Sequence, residues 1–382
     1  ATAMAYLTGV AVTPFGKHSG RGPVDLMEEA ALAALADAGL PREAADGLIS
    51  GYATTYPHLM MGTVMAERLA IRPRHAHQAQ VGGATGAVGI ILARHLIAAG
   101  ACRHVLVLGG ENRLTGQSRD DAVKTLAGVG HPVHEVPLGA SIPAYYALVA
   151  ARHLHETGAI EADLAELAVL MRRHAAEHPG AQLRKPITVD DVLASKPIAT
   201  PLKFLDCCPI SDGAAAVIVS AEPPATATIR LAGWGEAHTH QHVSEMPDDL
   251  GLGAKIAAAQ AFDMAGREAG DMRLLGLYDS FTPTLAIFLE ALGFAAAGRA
   301  GPSARDGLFG RDGRFPLNLH GGLMSYGHPG VAGFLAHVVE VVRQMRGEAG
   351  NRQVKGPPPL AYCHADGGVF SSHAGFVLER TA

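Results

Sequence analysis

Aromatic residues, cysteine and long apolar runs are all scarce in this 382-residue chain. Phe, Trp and Tyr make up 5% of it, with a single tryptophan, so its core must be built from small and aliphatic side chains packed closely. The four cysteines, Cys102, Cys207, Cys208 and Cys363, match neither a disulfide framework nor the paired spacing of a zinc ribbon. Reduced thiols in packed surroundings are expected, and no metal site. No stretch reaches the roughly 18 apolar residues that would span a bilayer, and the opening residues lack the basic segment and apolar run of a secretory signal. The expectation is a cytoplasmic protein without a membrane partner. Positive charge is not in excess either: 31 Lys and Arg against 36 Asp and Glu give a net charge of −5, which leaves no electrostatic footprint for nucleic acid. An anionic ligand would have to be held by local groups.

What is present is patterned. A strand-like segment at 7–12 is followed by helical periodicity over 25–39, a helix near 63–69, a strand at 76–81, an apolar helix at 86–99 and a buried strand at 105–108. Residues 112–200 read as a mostly helical insertion, clearest at 142–156 and 161–179, of the kind that caps a site. A strand returns at 214–219. The order then repeats: strand 229–233, helix 253–268, strand 274–278, a glycine-rich stretch at 321–330 feeding the apolar helix 331–345, and strand 360–364 before Gly367-Gly368. Two copies of one α/β unit follow from this, arranged as a pseudo-twofold pair with both glycine-rich helix mouths converging. The boundaries are 1–111 with 201–225 for the first half, 112–200 for the insertion and 226–382 for the second half.

One further absence concerns chemistry. Val81-Gly82-Gly83-Ala84-Thr85-Gly86 leads from a strand into an apolar helix. A thiol there would be acidified by the unpaired N–H groups and positive dipole end of the helix. Gly83 and Ala84 stand in its place, and neither can attack a carbonyl. A tight strand-to-helix turn explains such glycines equally well, but their duplication in the second half favours a site.

The duplicated halves, Ser211-Asp212-Gly213-Ala214-Ala215-Ala216, Asn318-Leu319-His320-Gly321-Gly322, Gly327-His328-Pro329 and the Gly367-Gly368 turn together resemble the thiolase superfamily over essentially the whole chain. The resemblance implies a five-layered α-β-α-β-α fold, a homodimer and acyl-coenzyme A substrates, with coenzyme A entering as part of the substrate and no covalently bound cofactor. The departures from the family pattern carry the chemistry. The acyl-carrying cysteine falls at Gly83, or with a one-residue drift at Ala84, and a second acid/base cysteine falls near Ala365, two residues from Cys363. The oxyanion-hole motif reads Tyr278-Asp279-Ser280-Phe281, and Tyr326 replaces the usual lysine before Gly-His-Pro. This combination resembles the thiolase-like aldolases of steroid side-chain breakdown, of the sterol-carrier-protein thiolase or lipid-transfer-protein type. These cleave a β-hydroxyacyl-CoA by a retro-aldol reaction, and the subgroup implies a small partner with an OB-fold and zinc ribbon, of the DUF35 type.

The site expected on these grounds has Tyr278 and Tyr326 moving protons, His328 holding the thioester oxygen, and backbone N–H groups of Gly83, Gly367 and Gly368 as further donors. A phenol with an ordinary pKa near 10 is a weak base at neutral pH, so one tyrosine needs a cationic or hydrogen-bonding neighbour. Two rival readings stand beside it: an acyltransferase using Cys363 or Cys208, and a non-catalytic acyl-CoA or lipid-binding protein. Asp279 reads as a structural hydrogen-bonding residue, His238-Thr239-His240-Gln241-His242 as a polar loop, and Arg172, Arg173 and Arg184 as a solvated face.

Overall fold

A computed structural model describes residues 3–225 and 227–381. The strands are β1 (Tyr6–Val12), β2 (Gly47–Gly51), β3 (His75–Ala79), β4 (His104–Asn112), β5 (Pro197–Ala199), β6 (Leu202–Lys203), β7 (Asp212–Ser220), β8 (Thr228–His238), β9 (Leu275–Leu277), β10 (Leu360–Gly367) and β11 (Ser372–Thr381). Apart from the small β5-β6 pair, they form one sheet in the order β3-β2-β4-β7-β1-β8-β11-β10-β9.

The repeat in the sequence is a repeat of topology. From the junction outward, β1-β7-β4-β2 is joined antiparallel, antiparallel and then parallel, and β8-β11-β10-β9 follows the same scheme. β3 closes the first half by pairing parallel to β2. Its counterpart is reduced to one parallel bridge between Leu275 and Leu317. The halves meet at β1 and β8 through the pair Tyr6 and Arg230, with the Leu231 N–H donating to the Ala5 carbonyl at 2.9 Å.

The helices Thr85–Ala98 and Val331–Arg346 are apolar on most of their circumference, so they must be covered on all sides. Each packs against strands of both halves and against the other, which makes them the central layer. Glycines allow this contact: a Cβ at Gly51 or Gly109 would stand 2.6 Å from Val331 Cγ1, and one at Gly86 would stand 2.9 Å from Leu335 Cγ. Helices Pro23–Asp37 and Met61–Arg68 cover the outside of the first half, and Leu252–Ala265 that of the second. The layers therefore run α-β-α-β-α. Residues between β4 and β7 form helices Arg119–Ala127, Ile142–Thr157, Glu161–Ala176 and Val189–Ala194. Ile142–Thr157 and Glu161–Ala176 pack on the helix Thr282–Ala291, which sequence periodicity alone left unassigned.

Candidate active site

The turn into the first helix mouth is fixed by one of its own side chains. Thr85 Oγ1 accepts from the Val81 N–H at 2.9 Å and donates to the Gly82 carbonyl at 2.6 Å. Gly82 has φ +55°, and a Cβ there would lie 2.9 Å from Gly368 N. The bare backbones of Gly82 and of the Gly367-Gly368 turn thus touch, joining the first half's mouth to the second half's strand turn. Gly368, with φ +68°, faces the cavity beside this junction, whereas Gly367 packs its Cα against the Val81 carbonyl and is not in the wall. Of the two expected glycine donors, the structure brings Gly368 and not Gly367 to the cavity.

His328 is set by both halves. Its N–H donates to Ser211 Oγ at 2.9 Å, and its ring lies against the central helix, where a Cβ on Gly333 would be 2.6 Å from Nδ1. Nε2 is 3.2 Å from the Tyr278 hydroxyl. Tyr278 follows directly on β9, with its N–H donating to the His364 carbonyl at 2.9 Å. Its phenol reaches the mouth of the other half. A Cβ built on Gly83 would collide with the Tyr278 hydroxyl and the Asp366 carbonyl and stand 2.5 Å from Tyr278 Cζ. The space where a side chain at position 83 would sit is filled by the phenol.

Both members of this pair are neutral. Burial, then the fields of Asp366, Cys208 and Tyr52, hold the Tyr278 phenol well above its usual pKa, with Arg113 opposing. Burial, then Arg113 and His337, drives His328 down to about 3. The contact between Oη and Nε2 therefore joins two neutral groups, and the imidazole tautomer sets which of them donates. The sequence asks for a cationic or hydrogen-bonding neighbour of one tyrosine, and the Arg113 guanidinium is a cation whose field lowers the Tyr278 pKa against the larger effect of burial. It is buried in the cavity wall, with Nε 2.6 Å from Glu111 Oε2 and donating to Thr54 Oγ1 at 3.0 Å.

A second phenol enters from the insertion. Tyr146, on the helix Ile142–Thr157, donates its hydroxyl to Asp366 Oδ2 at 2.8 Å, with the Gly368 carbonyl 3.0 Å away, and its ring stacks on Phe281 at 4.5 Å. Asp366 is fully buried. Its Oδ1 has no hydrogen-bond partner among the described residues, and burial pushes its pKa well up.

Tyr146, Tyr278, His328 and Arg113, though not Asp366, line a cavity of about 740 Å³ whose remaining wall is largely apolar, with Val123, Leu126, Ile142, Ile187 and Ile198 supplied by the insertion. Gly83, Tyr278 and His328 come together there as expected. Tyr326 does not. Its hydroxyl donates to the Thr13 carbonyl at 2.9 Å, its ring lies edge-on to Phe15 at 4.6 Å, and it is absent from the cavity wall. Tyr326 follows the short helix Gly322–Ser325, which turns its side chain into the first half's core. Asp279 is structural: it accepts from the Leu323 N–H at 2.8 Å and pairs with His337 Nε2 at 2.9 Å. Cys363 is buried on β10 opposite Phe376, outside the cavity wall. Cys207 and Cys208 do line the cavity, but burial pushes Cys207 up to about 12 and Cys208 further, and neither opens a helix.

Sequence reasoning missed Tyr146, Asp366 and Arg113. Their only sequence signals are polar or charged side chains inside apolar elements or beside a glycine pair, such as Asp366 before Gly367-Gly368.

Residues 5–223 match the family model for the N-terminal domain of thiolase, and residues 235–380 match the one described as thiolase C-terminal domain-like. The steroid side-chain-cleaving aldolase of Thermomonospora curvata is 33% identical over 378 residues, covering 91% of this chain and 92% of its own. The acetyl-CoA acetyltransferase of Methanothermobacter thermautotrophicus is 31% identical over 392 residues, covering 97% and 98%. Among solved structures, an Ltp2-ChsH2(DUF35) aldolase superposes with a TM-score of 0.84 at 29% identity, covering 99% of this chain and 98% of that one.

Proposed function

The chain belongs to the thiolase family, and from that premise and the phenol filling its helix mouth we propose that it cleaves a β-hydroxyacyl-CoA by a retro-aldol reaction. The products are a ketone or aldehyde and a shorter acyl-CoA. Its relatives include both an aldolase and an acetyltransferase, so similarity alone does not separate the two chemistries. The observation that does favour one is the collision of any side chain at position 83 with the Tyr278 hydroxyl. An acyltransferase needs a nucleophile at that point, whereas a retro-aldol reaction needs a proton carrier and no acyl-enzyme.

In this reading the β-hydroxyl loses its proton, the Cα–Cβ bond breaks, and its electron pair passes into the thioester enolate. His328, in the cavity wall with Nε2 beside the Tyr278 hydroxyl, serves as donor to the enolate oxygen; such donors are worth roughly 3–4 kcal/mol. The Tyr278–His328 pair, 3.2 Å apart, then returns a proton to Cα. The apolar remainder of the 740 Å³ cavity suits a bulky acyl group, a steroid side chain with its ring system among them. A small DUF35-type partner, by likeness to the Ltp2-ChsH2(DUF35) aldolase, and a homodimer, as the thiolase resemblance implies, complete the proposal.

The test is mass spectrometry of products from a panel of branched β-hydroxyacyl-CoAs, with the protein purified alone and with such a partner. Release of a carbonyl compound with a shorter acyl-CoA is expected, together with insensitivity to iodoacetamide. No carbonyl product from any member, or a trapped acyl-cysteine, overturns the reading. The acyltransferase reading, which named Cys208 or Cys363, is left with Cys208, since of these two it alone shares the cavity wall.

A further inference from the structure

We propose that Tyr146, seated on the buried Asp366 carboxylate, is the group that takes the proton from the substrate's β-hydroxyl, leaving Tyr278 and His328 to serve the enolate; this assignment rests on the retro-aldol reading. Three observations carry it. Tyr146 is in the cavity wall and its hydroxyl hydrogen is held by fixed acceptors, Asp366 Oδ2 at 2.8 Å and the Gly368 carbonyl at 3.0 Å, so the Oη lone pairs, which the Ser280 hydroxyl also approaches, are what it can offer a ligand. The stack on Phe281 at 4.5 Å fixes the ring and hence the direction of those lone pairs. Asp366 makes no salt bridge among the described residues: the Tyr146 hydroxyl donates to its Oδ2, the Phe370 backbone is the one other group that favours its charge, and its buried Oδ1 has no hydrogen-bond partner. A carboxylate held in this way gains more from accepting a proton than a solvated one does.

Asp366 also lies beside both phenols, and its field raises the pKa of Tyr146 and of Tyr278 alike. The two phenols therefore face one reaction space from different parts of the fold, Tyr146 from the insertion and Tyr278 from the second half.

The step balances without a co-reactant. The substrate O–H bond breaks as its proton moves to Tyr146 Oη, and the hydrogen already on Oη passes to Asp366 Oδ2. The electron pair left on the substrate oxygen becomes the carbonyl π bond, the Cα–Cβ pair moves into the thioester enolate, and a hydrogen from the Tyr278–His328 pair forms the new Cα–H bond. Asp366 ends with one proton more and the Tyr278 pair with one fewer, and return of that one proton to the pair once the products leave resets the site. Tyr146 is then the catalytic residue of this half-reaction and Asp366 its positioning residue.

The experiment compares Tyr146→Phe, Asp366→Asn and the double variant with the unmodified protein and with Tyr278→Phe, in two assays. The first is carbonyl release from the best β-hydroxyacyl-CoA. The second is exchange of the α-hydrogen of the shorter acyl-CoA product with deuterium from solvent, which needs enolate formation but no β-hydroxyl. Expected are a fall in kcat of roughly 10²- to 10⁴-fold for Tyr146→Phe and for Asp366→Asn with KM unchanged. The double variant should be no slower than the slower single one, because the two act as a unit. Both should retain α-exchange, which Tyr278→Phe should abolish. Unchanged kcat in Tyr146→Phe, multiplying losses in the double variant, or loss of α-exchange along with turnover would overturn the proposal while leaving the retro-aldol reading in place. An unmodified protein that releases no carbonyl from any substrate brings down both. Should Asp366→Asn fail to fold, Tyr146→Phe alone decides between these outcomes.

Discussion

At the scale of single residues, glycine at position 83 and tyrosine at position 278 are one decision. Each fits only because of the other, since a Cβ on Gly83 would fall within the Tyr278 hydroxyl. Gly83→Cys is therefore expected to lose roughly 1–3 kcal/mol to overpacking and to yield no acyl-enzyme. Urea unfolding and intact-mass analysis after incubation with acyl-CoA check the two parts, and a turning-over thiolase from this single change would show that the phenol had simply moved aside. The two tyrosines that motif position places together should separate cleanly. Tyr326→Phe should cost about 1–3 kcal/mol, because the Thr13 carbonyl loses its donor, while kcat stays near that of the parent. Tyr278→Phe should instead reduce kcat by roughly 10²- to 10⁴-fold at similar stability. Sequence position names both residues but not their directions, because direction depends on the short helix Gly322–Ser325 that precedes one and the strand Leu275–Leu277 that precedes the other.

At the scale of elements, periodicity and glycine placement expose the strands, the central helices and the repeat, because each is written in neighbouring residues. Tyr146 and Asp366 are not legible in the same way. They are 220 positions apart, and only the packing of the insertion on the second half brings them to 2.8 Å. The end of β4 carries a similar hidden unit. Glu111 is fully buried, is met by Thr54 and Arg113, and sits beside Gly330, where a Cβ would press on Glu111 Cγ at 2.7 Å. Arg113→Met should destabilise by about 3–5 kcal/mol, since it leaves that carboxylate buried and unpaired. Adding Glu111→Gln should recover a large part of the loss, as read from urea midpoints. Equal loss in the single and double variants would mean that the guanidinium matters for its packing and not for its charge.

At the scale of the whole molecule, the cost of burying imidazoles, one of them in the site, should appear as acid sensitivity. Burial drives His174 and His373 down to about 4, and His178 and His328 down to about 3, from the ordinary 6.5. His320 and His364 are lowered too. When the pH falls below 6.5, the unfolded chain takes up protons on these rings and the folded chain does not, so stability falls as acid is added. Each buried ring contributes about 1.4 kcal/mol per pH unit once the pH is well below 6.5, until its own folded value is reached. Asp206, Asp279 and Asp366 act in the opposite sense. Their pKa values are raised by burial, so the stability they contribute is full below the unfolded value of 3.8 and is lost as pH rises through the folded value. More rings than carboxyls are involved, so between pH 6.5 and 4 the histidine effect should win. The melting temperature should drop steadily from pH 7 to pH 5. His320 supplies the control. It is buried against Tyr326 and His337, and neither ring nitrogen has a partner among the described residues, so His320→Phe should flatten the pH dependence by one ring's share. A melting temperature that holds or rises on going to pH 5 would mean that the carboxyls outweigh the histidines, and Asp366 would then be the first group to examine by the same substitution, Asp366→Asn.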